Sequence, residues 1–230
     1  MNKINIEDKS VHLENNVYLL EIQKNLDLEI NIDKDIDTKL VILGYHDYHI
    51  KFNVYNNANI TVNSLNVNNS SNIEINLYNN SNIIYNHSVS SNIDSIHNFI
   101  INHLESNSNS YVINNGVNLG NNKLFFRIDG VIPKKLNNII CNQESKIINY
   151  DNGNSKIIPN LIIDSNDIIA NHSSYIGKIE EDIIFYLETR SINKEMIKKL
   201  MYKAILLGKM KLSDEQDLFN KIINREVNDE

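Results

Sequence analysis

Short runs in which every second residue is apolar, separated by asparagine and serine corners, fill the chain from about Leu26 to Ala170 and constrain its fold more than any other feature. Leu26-Asp-Leu-Glu-Ile-Asn-Ile32, His49-Ile-Lys-Phe-Asn-Val-Tyr55 and Asn72-Ile-Glu-Ile-Asn-Leu-Tyr78 are examples. Period two gathers the apolar side chains of a run on one face, the pattern of a strand with one buried side. The triplet Ser-Asn-Ile recurs at Ser71, Ser81 and Ser91, with a looser copy at Asn59-Ile60-Thr-Val62. Short strands with polar corners fit either an antiparallel sandwich or a solenoid whose coils stack strand on strand. The repeat favours the solenoid. So does the scarcity of hairpin signals, since Asn115-Gly116, Asp129-Gly130 and Asn152-Gly153 are the only Asn-Gly or Asp-Gly pairs.

Asparagine supplies roughly a fifth of the residues, a bias that elsewhere marks low-complexity disorder. Here the asparagines alternate with regularly spaced Ile, Val, Leu, Phe and Tyr, and the apolar fraction of 41% is that of a globular chain. With only 7 Gly and 2 Pro available, asparagine is expected to make the corners, because it tolerates the left-handed conformation. In a parallel β-helix a corner asparagine can also bond its counterpart one coil away.

The pattern changes after Gly177. Ile179, Ile183 and Leu187 lie at helical spacing, with Glu180, Glu181 and Asp182 where a helix dipole favours negative charge. A short helix is predicted from about Glu180 to Thr189. Asn193 is placed to cap a second helix with Met196, Ile197, Leu200, Met201, Ala204 and Ile205 on one broad face. Ser213-Asp-Glu-Gln216 has capping-box spacing ahead of Leu218, Phe219, Ile222 and Ile223. The expected organisation is a β-helix core over residues 1–177 and a helical segment over 178–230 that closes the end of the solenoid.

Composition removes several function classes. Against 29 Asp and Glu stand 22 Lys and Arg, a net charge of -7, so the broad basic field that nucleic acid demands is missing. The single cysteine, Cys141, supplies neither an intramolecular disulfide nor a multi-thiolate site and fits a reducing, cytoplasmic setting. The amino-terminal residues include Lys3, Glu7, Asp8 and Lys9, and no later run reaches the ~20 apolar residues of a membrane span, so a soluble chain with no membrane partner is expected. No phosphate-binding loop, His-Glu-x-x-His motif or nucleophile elbow occurs, and no enzyme is expected. Lys194, Lys198, Lys199, Lys203, Lys209 and Lys211 read as a solvated helix face. His46 and His49, three apart, do not share a strand face and make no metal pair.

The stretch from Asn160 through Ala170-Asn-His172-Ser-Ser-Tyr-Ile-Gly177, followed by Ile183-Ile-Phe-Tyr-Leu-Glu-Thr-Arg-Ser-Ile192, resembles the carboxy-terminal signature of the SufB/SufD family of iron–sulfur cluster assembly scaffolds. Pro159, His172, Gly177, Phe185, Tyr186, Leu187, Arg190 and Ile192 fall in register with that pattern. A fainter likeness extends back to about His97, where His103 with Ser108 and Ser110, then Phe126-Arg127 and Gly130, look like the family's histidine strand and its Phe-Arg-Gly element. The thirteen-residue step from Pro159 to His172 is similar to the SufD branch. Ser173, Ala170 and Ser191 depart from the family pattern, and Cys141 lies eighteen residues ahead of Pro159, without the cysteine that SufB carries nearer. The family's helical amino-terminal region is expected to be short or missing.

The resemblance implies an all-β, right-handed parallel β-helix with a small carboxy-terminal helical segment. It implies a non-catalytic scaffold that pairs with a SufB-like subunit, or with itself as a homodimer, and docks a SufC-like ABC ATPase. A transient iron–sulfur cluster would form at the shared subunit interface, with none on the isolated chain. His172 becomes the leading cluster or metal ligand, since a neutral imidazole binds iron and a titrating one relays protons; its bland alternative is a satisfied structural histidine. His103 is a second candidate, as a strand histidine filling the solenoid. Phe185, Tyr186, Leu187, Arg190 and Leu200 are the expected ATPase contacts. Cys141 is either a sulfur acceptor or a buried apolar filler. The rival reading is a carbohydrate-binding or glycan-active β-helix, which needs paired carboxylates; Asp164 and Asp167 are the nearest acidic pair to His172.

Overall fold

The computed structural model describes residues 1–5, 7–150, 152–210 and 216–228. The chain begins with β1 (Asn2–Lys3), β2 (Ser10–Leu13), β3 (Val17–Ile22), β4 (Leu26–Ile32) and β5 (Asp37–Gly44). It continues through β6 (Tyr48–Val54), β7 (Asn59–Val67), β8 (Ser71–Leu77), β9 (Asn82–Ser91) and β10 (Ser95–His103). The last strands are β11 (Asn109–Asn118), β12 (Leu124–Ile132), β13 (Asn137–Asn149), β14 (Lys156–Ile163) and β15 (Asp167–Gly177). Helices α1 (Glu181–Thr189), α2 (Lys194–Leu207) and α3 (Gln216–Asn228) follow.

Odd-numbered strands form one sheet in the order β1-β3-β5-β7-β9-β11-β13-β15, and even-numbered strands form the other, from β2 to β14. Neighbours in both sheets pair in parallel. Each coil thus contributes one strand to each of two facing sheets, and the chain is a parallel β-helix. Strand structure starts at Asn2, earlier than the alternation at Leu26 indicated, and the Asn-Gly and Asp-Gly pairs at Gly116 and Gly130 lie inside strands rather than in hairpins.

Asparagine performs both roles expected of it. Among the described residues no glycine has positive φ; Asn57, Asn68, Asn80, Asn107 and Asn138 take left-handed corners, as do Asp35, Lys135 and Ser191. The corner side chains climb from coil to coil: Asn57 Nδ2 donates to Asp35 Oδ1 at 2.7 Å and Asn80 Nδ2 to Asn57 Oδ1 at 3.0 Å. A second ladder joins Asn31, Asn53, Asn76 and Asn102 through bonds of 2.9 to 3.0 Å. Rungs are 22 or 23 residues apart in the early coils and up to 31 in the later ones.

Between the sheets, inward rows of Leu20, Ile30, Leu40, Ile50, Phe52, Val62 and Ile75 are fully buried. Tyr85 meets Phe52 and Phe99 edge-on, with ring centroids 5.8 and 5.2 Å apart. The tail does not close the end of the stack as anticipated. Ile205, Leu206, Met210, Phe219 and Ile223 instead cover Val41, Leu43, Leu65, Val117 and Ile148 on the outer face of the odd-numbered sheet. Asn193 Oδ1 caps α2 by accepting from the Met196 N–H at 2.8 Å, as its position indicated. The buried face of α2 is Ile197, Tyr202, Ile205 and Leu206, so Met196 and Leu200 turn outward. Of the anticipated capping box, 213–215 lie outside the described residues. No helix among the described residues is long and apolar enough to cross a membrane.

Candidate functional site at the open end of the stack

β15 is the last strand of its sheet and pairs with β13 alone, in a register that sets Ile168 beside Ile139, Ala170 beside Cys141, His172 beside Gln143 and Ser174 beside Ser145. Ile168 and Ala170 pack on buried Ile139 and Cys141, which fixes the inward face of the strand. Period two then puts His172 and Ser174 on that same face. Buried Tyr85, Val112 and Gln143 precede His172 in one inward row, and the histidine is exposed because no further coil covers it among the described residues. It sits in the middle of β15, not at a strand end. Among the described residues none hydrogen-bonds its ring. A shallow cavity of about 230 Å³ borders Asn142, Glu144, Asn171, His172 and Ser173.

Across the interior from β15, β14 forms the other rim of the open end. Gln143 reaches across the interior and donates from Nε2 to the Asn160 carbonyl at 3.2 Å. Leu161, paired with Gly130, packs into the same small cluster as Ile168 and Ala170. Gly130 is required here, since a Cβ would lie 2.8 Å from Gln143 Nε2 and 2.9 Å from Cys141 Sγ. Cys141 is fully buried, and that burial pushes its thiol up, away from the thiolate a nucleophile needs.

His103 is also inward and fully buried, with Nδ1 2.8 Å from Ser108 Oγ and Nε2 3.0 Å from Ser110 Oγ. Both ring nitrogens are therefore engaged, and burial lowers its pKa to about 4. Sequence reasoning missed a second buried pair, His87 and His97. His87 Nδ1 lies 2.9 Å from Ser64 Oγ and 3.2 Å from Asn66 Nδ2, whose amide also donates to the Ser88 carbonyl. Nε2 is 3.1 Å from His97 Nδ1, which also lies 2.8 Å from Ser71 Oγ. His97 Nε2 is an interior atom with no hydrogen-bond partner among the described residues. Desolvation lowers the His97 pKa to about 3 and holds His87 well below its ordinary value. The signal for this pair was its parity, but β9 carries polar residues on both faces at Asn86, His87 and Ser88, which erases the alternation.

The expected ATPase contacts gather on the first two helices. α1 buries no residue, and Phe185 and Tyr186 are 68% and 55% exposed. Ile183, Met196 and Leu200 extend that apolar surface, while the Arg190 guanidinium stands 5.1 Å over the Tyr186 ring. Leu187 is half-buried. Elsewhere, His49 Nδ1 lies 3.2 Å from Asp27 Oδ1, away from any metal set; no group of three or more His, Cys, Asp or Glu among the described residues could hold an ion. Asp164 lies in the corner after β14, where its N–H bonds the Ile132 carbonyl, and Asp167 opens β15 beside Asn137.

Residues 44–205 match the model of the SufBD core domain of the SUF iron–sulfur cluster assembly system. The iron–sulfur cluster assembly protein SufD of Bacillus subtilis (strain 168) is 24% identical over 129 residues, which cover 54% of this chain. The matched stretch spans 30% of that protein's length.

Proposed function

Because the chain belongs to the SufBD core-domain family, which works in iron–sulfur cluster assembly, we propose that it is a non-catalytic, SufD-like scaffold subunit whose open coil end forms half of a cluster-assembly site. The observation that carries this reading is His172: an inward-facing imidazole on the last strand of its sheet, covered by no further coil among the described residues. A β-helix interior left open exposes apolar inward side chains and unpaired backbone groups, a surface suited to a partner with its own open coil end. The family's pairing with a SufB-like subunit supplies such a partner. The cluster is cargo at the joint. With a single buried thiol this chain cannot complete a four-ligand set, so thiolates must come from across the interface, with His172 as ligand or proton relay on this side. The apolar surface of α1 and α2 would dock a SufC-like ATPase.

The test is His172→Ala in a complex reconstituted with the SufB-like and SufC-like subunits. A side chain with no intramolecular hydrogen bond should cost under about 1 kcal/mol of stability when truncated, so the circular dichroism and urea midpoint should hardly move. Cluster formation, followed by visible absorbance, should fall severalfold or more. Undiminished assembly would remove His172 from the site.

A further inference from the structure

Three glycines follow an asparagine or aspartate, at Asn115-Gly116, Asp129-Gly130 and Asn152-Gly153. Such pairs can cyclise, because a glycine nitrogen, with no Cβ beside it, can reach the preceding side-chain carbonyl carbon. The fold decides which of them do. Asn115-Gly116 lies within β11, in register with Ser88-Val89 on one side and Lys146-Ile147 on the other. Asp129-Gly130 is held in the same way between Ile100-Ile101 and Asn160-Leu161. A parallel strand, with ψ near about +115°, turns the next nitrogen away from the side-chain carbonyl, and pairing on both sides prevents the rotation that would bring it back.

Asn152 and Gly153 belong to no strand, and Asn152 is exposed. The Tyr150 N–H bonds the Asn118 carbonyl at 2.9 Å and the Asn154 N–H bonds the Asn122 carbonyl at 3.0 Å. Between these two ties, neither the Asn152 carboxamide nor the Gly153 N–H has a hydrogen-bond partner among the described residues. The left-handed corner asparagines differ on both counts. The carboxamides of Asn57, Asn80, Asn107 and Asn138 are bound into ladders, and Ala58, Ser81, Ser108 and Ile139, each with a Cβ, follow them. We infer that Asn152 is a site of spontaneous modification, where the folded chain converts asparagine to aspartate and isoaspartate, the second being a substrate for a protein-isoaspartyl methyltransferase.

The reaction needs only water. The Gly153 nitrogen bonds to Asn152 Cγ and gives up its proton, the Cγ–Nδ2 bond breaks, and ammonia leaves with that proton. Water then opens the cyclic imide at either carbonyl. One opening gives aspartate; the other gives isoaspartate, whose main chain runs through the former side chain. Either product adds a carboxylate that is ionised at neutral pH. The neighbourhood gives this change a consequence. Tyr150 seats α2, with its ring 5.5 Å from that of buried Tyr202 and 5.4 Å from the Lys198 ammonium. Asn149 and Tyr150 share a cavity of about 500 Å³ with Lys178, Lys194 and Lys198. An isoaspartyl linkage lengthens the main chain between two fixed ties, so its accommodation falls on Tyr150 and the helix it seats.

The full chain, held for days at body temperature in mildly alkaline buffer, should yield a tryptic peptide Ile147–Lys156 with the amide-to-acid mass increase at Asn152. The isoaspartyl form should predominate and accept a labelled methyl group from S-adenosylmethionine in the presence of an isoaspartyl methyltransferase. Asn115 should stay an amide in the folded chain and convert once the chain is unfolded in urea. Asn152→Gln should abolish methyl acceptance by the folded chain. Hydrogen exchange in α2 should quicken with age in the unsubstituted chain and not in this variant. Conversion of Asn115 as fast as Asn152 in the folded chain, or undiminished methyl acceptance by Asn152→Gln, would overturn the assignment. Exchange in α2 that quickens in both chains, or in neither, would overturn the link to the helix.

Discussion

His87, His97 and His103 lie among hydroxyls, amides and aromatic rings, with no carboxylate in hydrogen-bond contact to balance a charge. Each is therefore held neutral in the folded chain by desolvation, with His97 at about 3 and His103 at about 4. The unfolded chain binds those protons near pH 6.5. Folded-state values below unfolded ones mean that stability is full above about pH 6.5 and is lost as pH falls, by up to about 1.4 kcal/mol per pH unit for each histidine. Urea midpoints should thus drop steeply between pH 7 and pH 5; a flat profile would mean that the three rings are solvated. His172 is different in kind, exposed and with no hydrogen bond to its ring among the described residues.

At the scale of elements, α1 is a helix with nothing of its own in the core, held beside α2 and displaying Phe185 and Tyr186. Aromatic anchors of this sort concentrate binding energy, whereas rim charges mainly alter association rate and salt dependence. On the proposed docking of a SufC-like ATPase, Phe185→Asp and Leu200→Asp should each weaken its binding by at least about 2 kcal/mol, roughly thirtyfold, without shifting the melting temperature. Calorimetric titration measures this. Lys199 should matter little, since its ammonium is 3.0 Å from Glu195, whereas Lys203→Ala should change the salt slope more than the affinity. The period-two strands, the helix starts and the Asn193 cap were legible in the sequence because each depends on local chemistry. The buried face of α2 was not: Lys194–Leu207 is apolar on more than one side, and only the sheet it meets selects Tyr202 and Leu206 over Met196 and Leu200. Nor was the coil repeat, because the ten-residue recurrence of Ser-Asn-Ile marks strand starts and a strand end in both sheets rather than one turn of the coil.

Over the whole molecule the helices work as a side wall. Deleting residues after Gly177 would bare Val41, Leu43, Leu65, Val117 and Ile148, at about 1.5 to 3 kcal/mol for each side chain returned to water. Such a truncation should aggregate or melt far below the full chain on size-exclusion chromatography and thermal scans, and a well-behaved truncated monomer would mean that the outer face is stable uncovered. The motif singles out His172 in the sequence, but only the strand order places it on the last described strand of its sheet. The ladders carry a last consequence. Apart from the helical side wall on the odd-numbered sheet, each coil touches little except the coils above and below, so the barrel is a rod of stacked discs whose length changes in whole units. Coils could be gained or lost at the β1 end, farthest along the stack from β14 and β15, which would let such proteins drift in size while that rim stays constant.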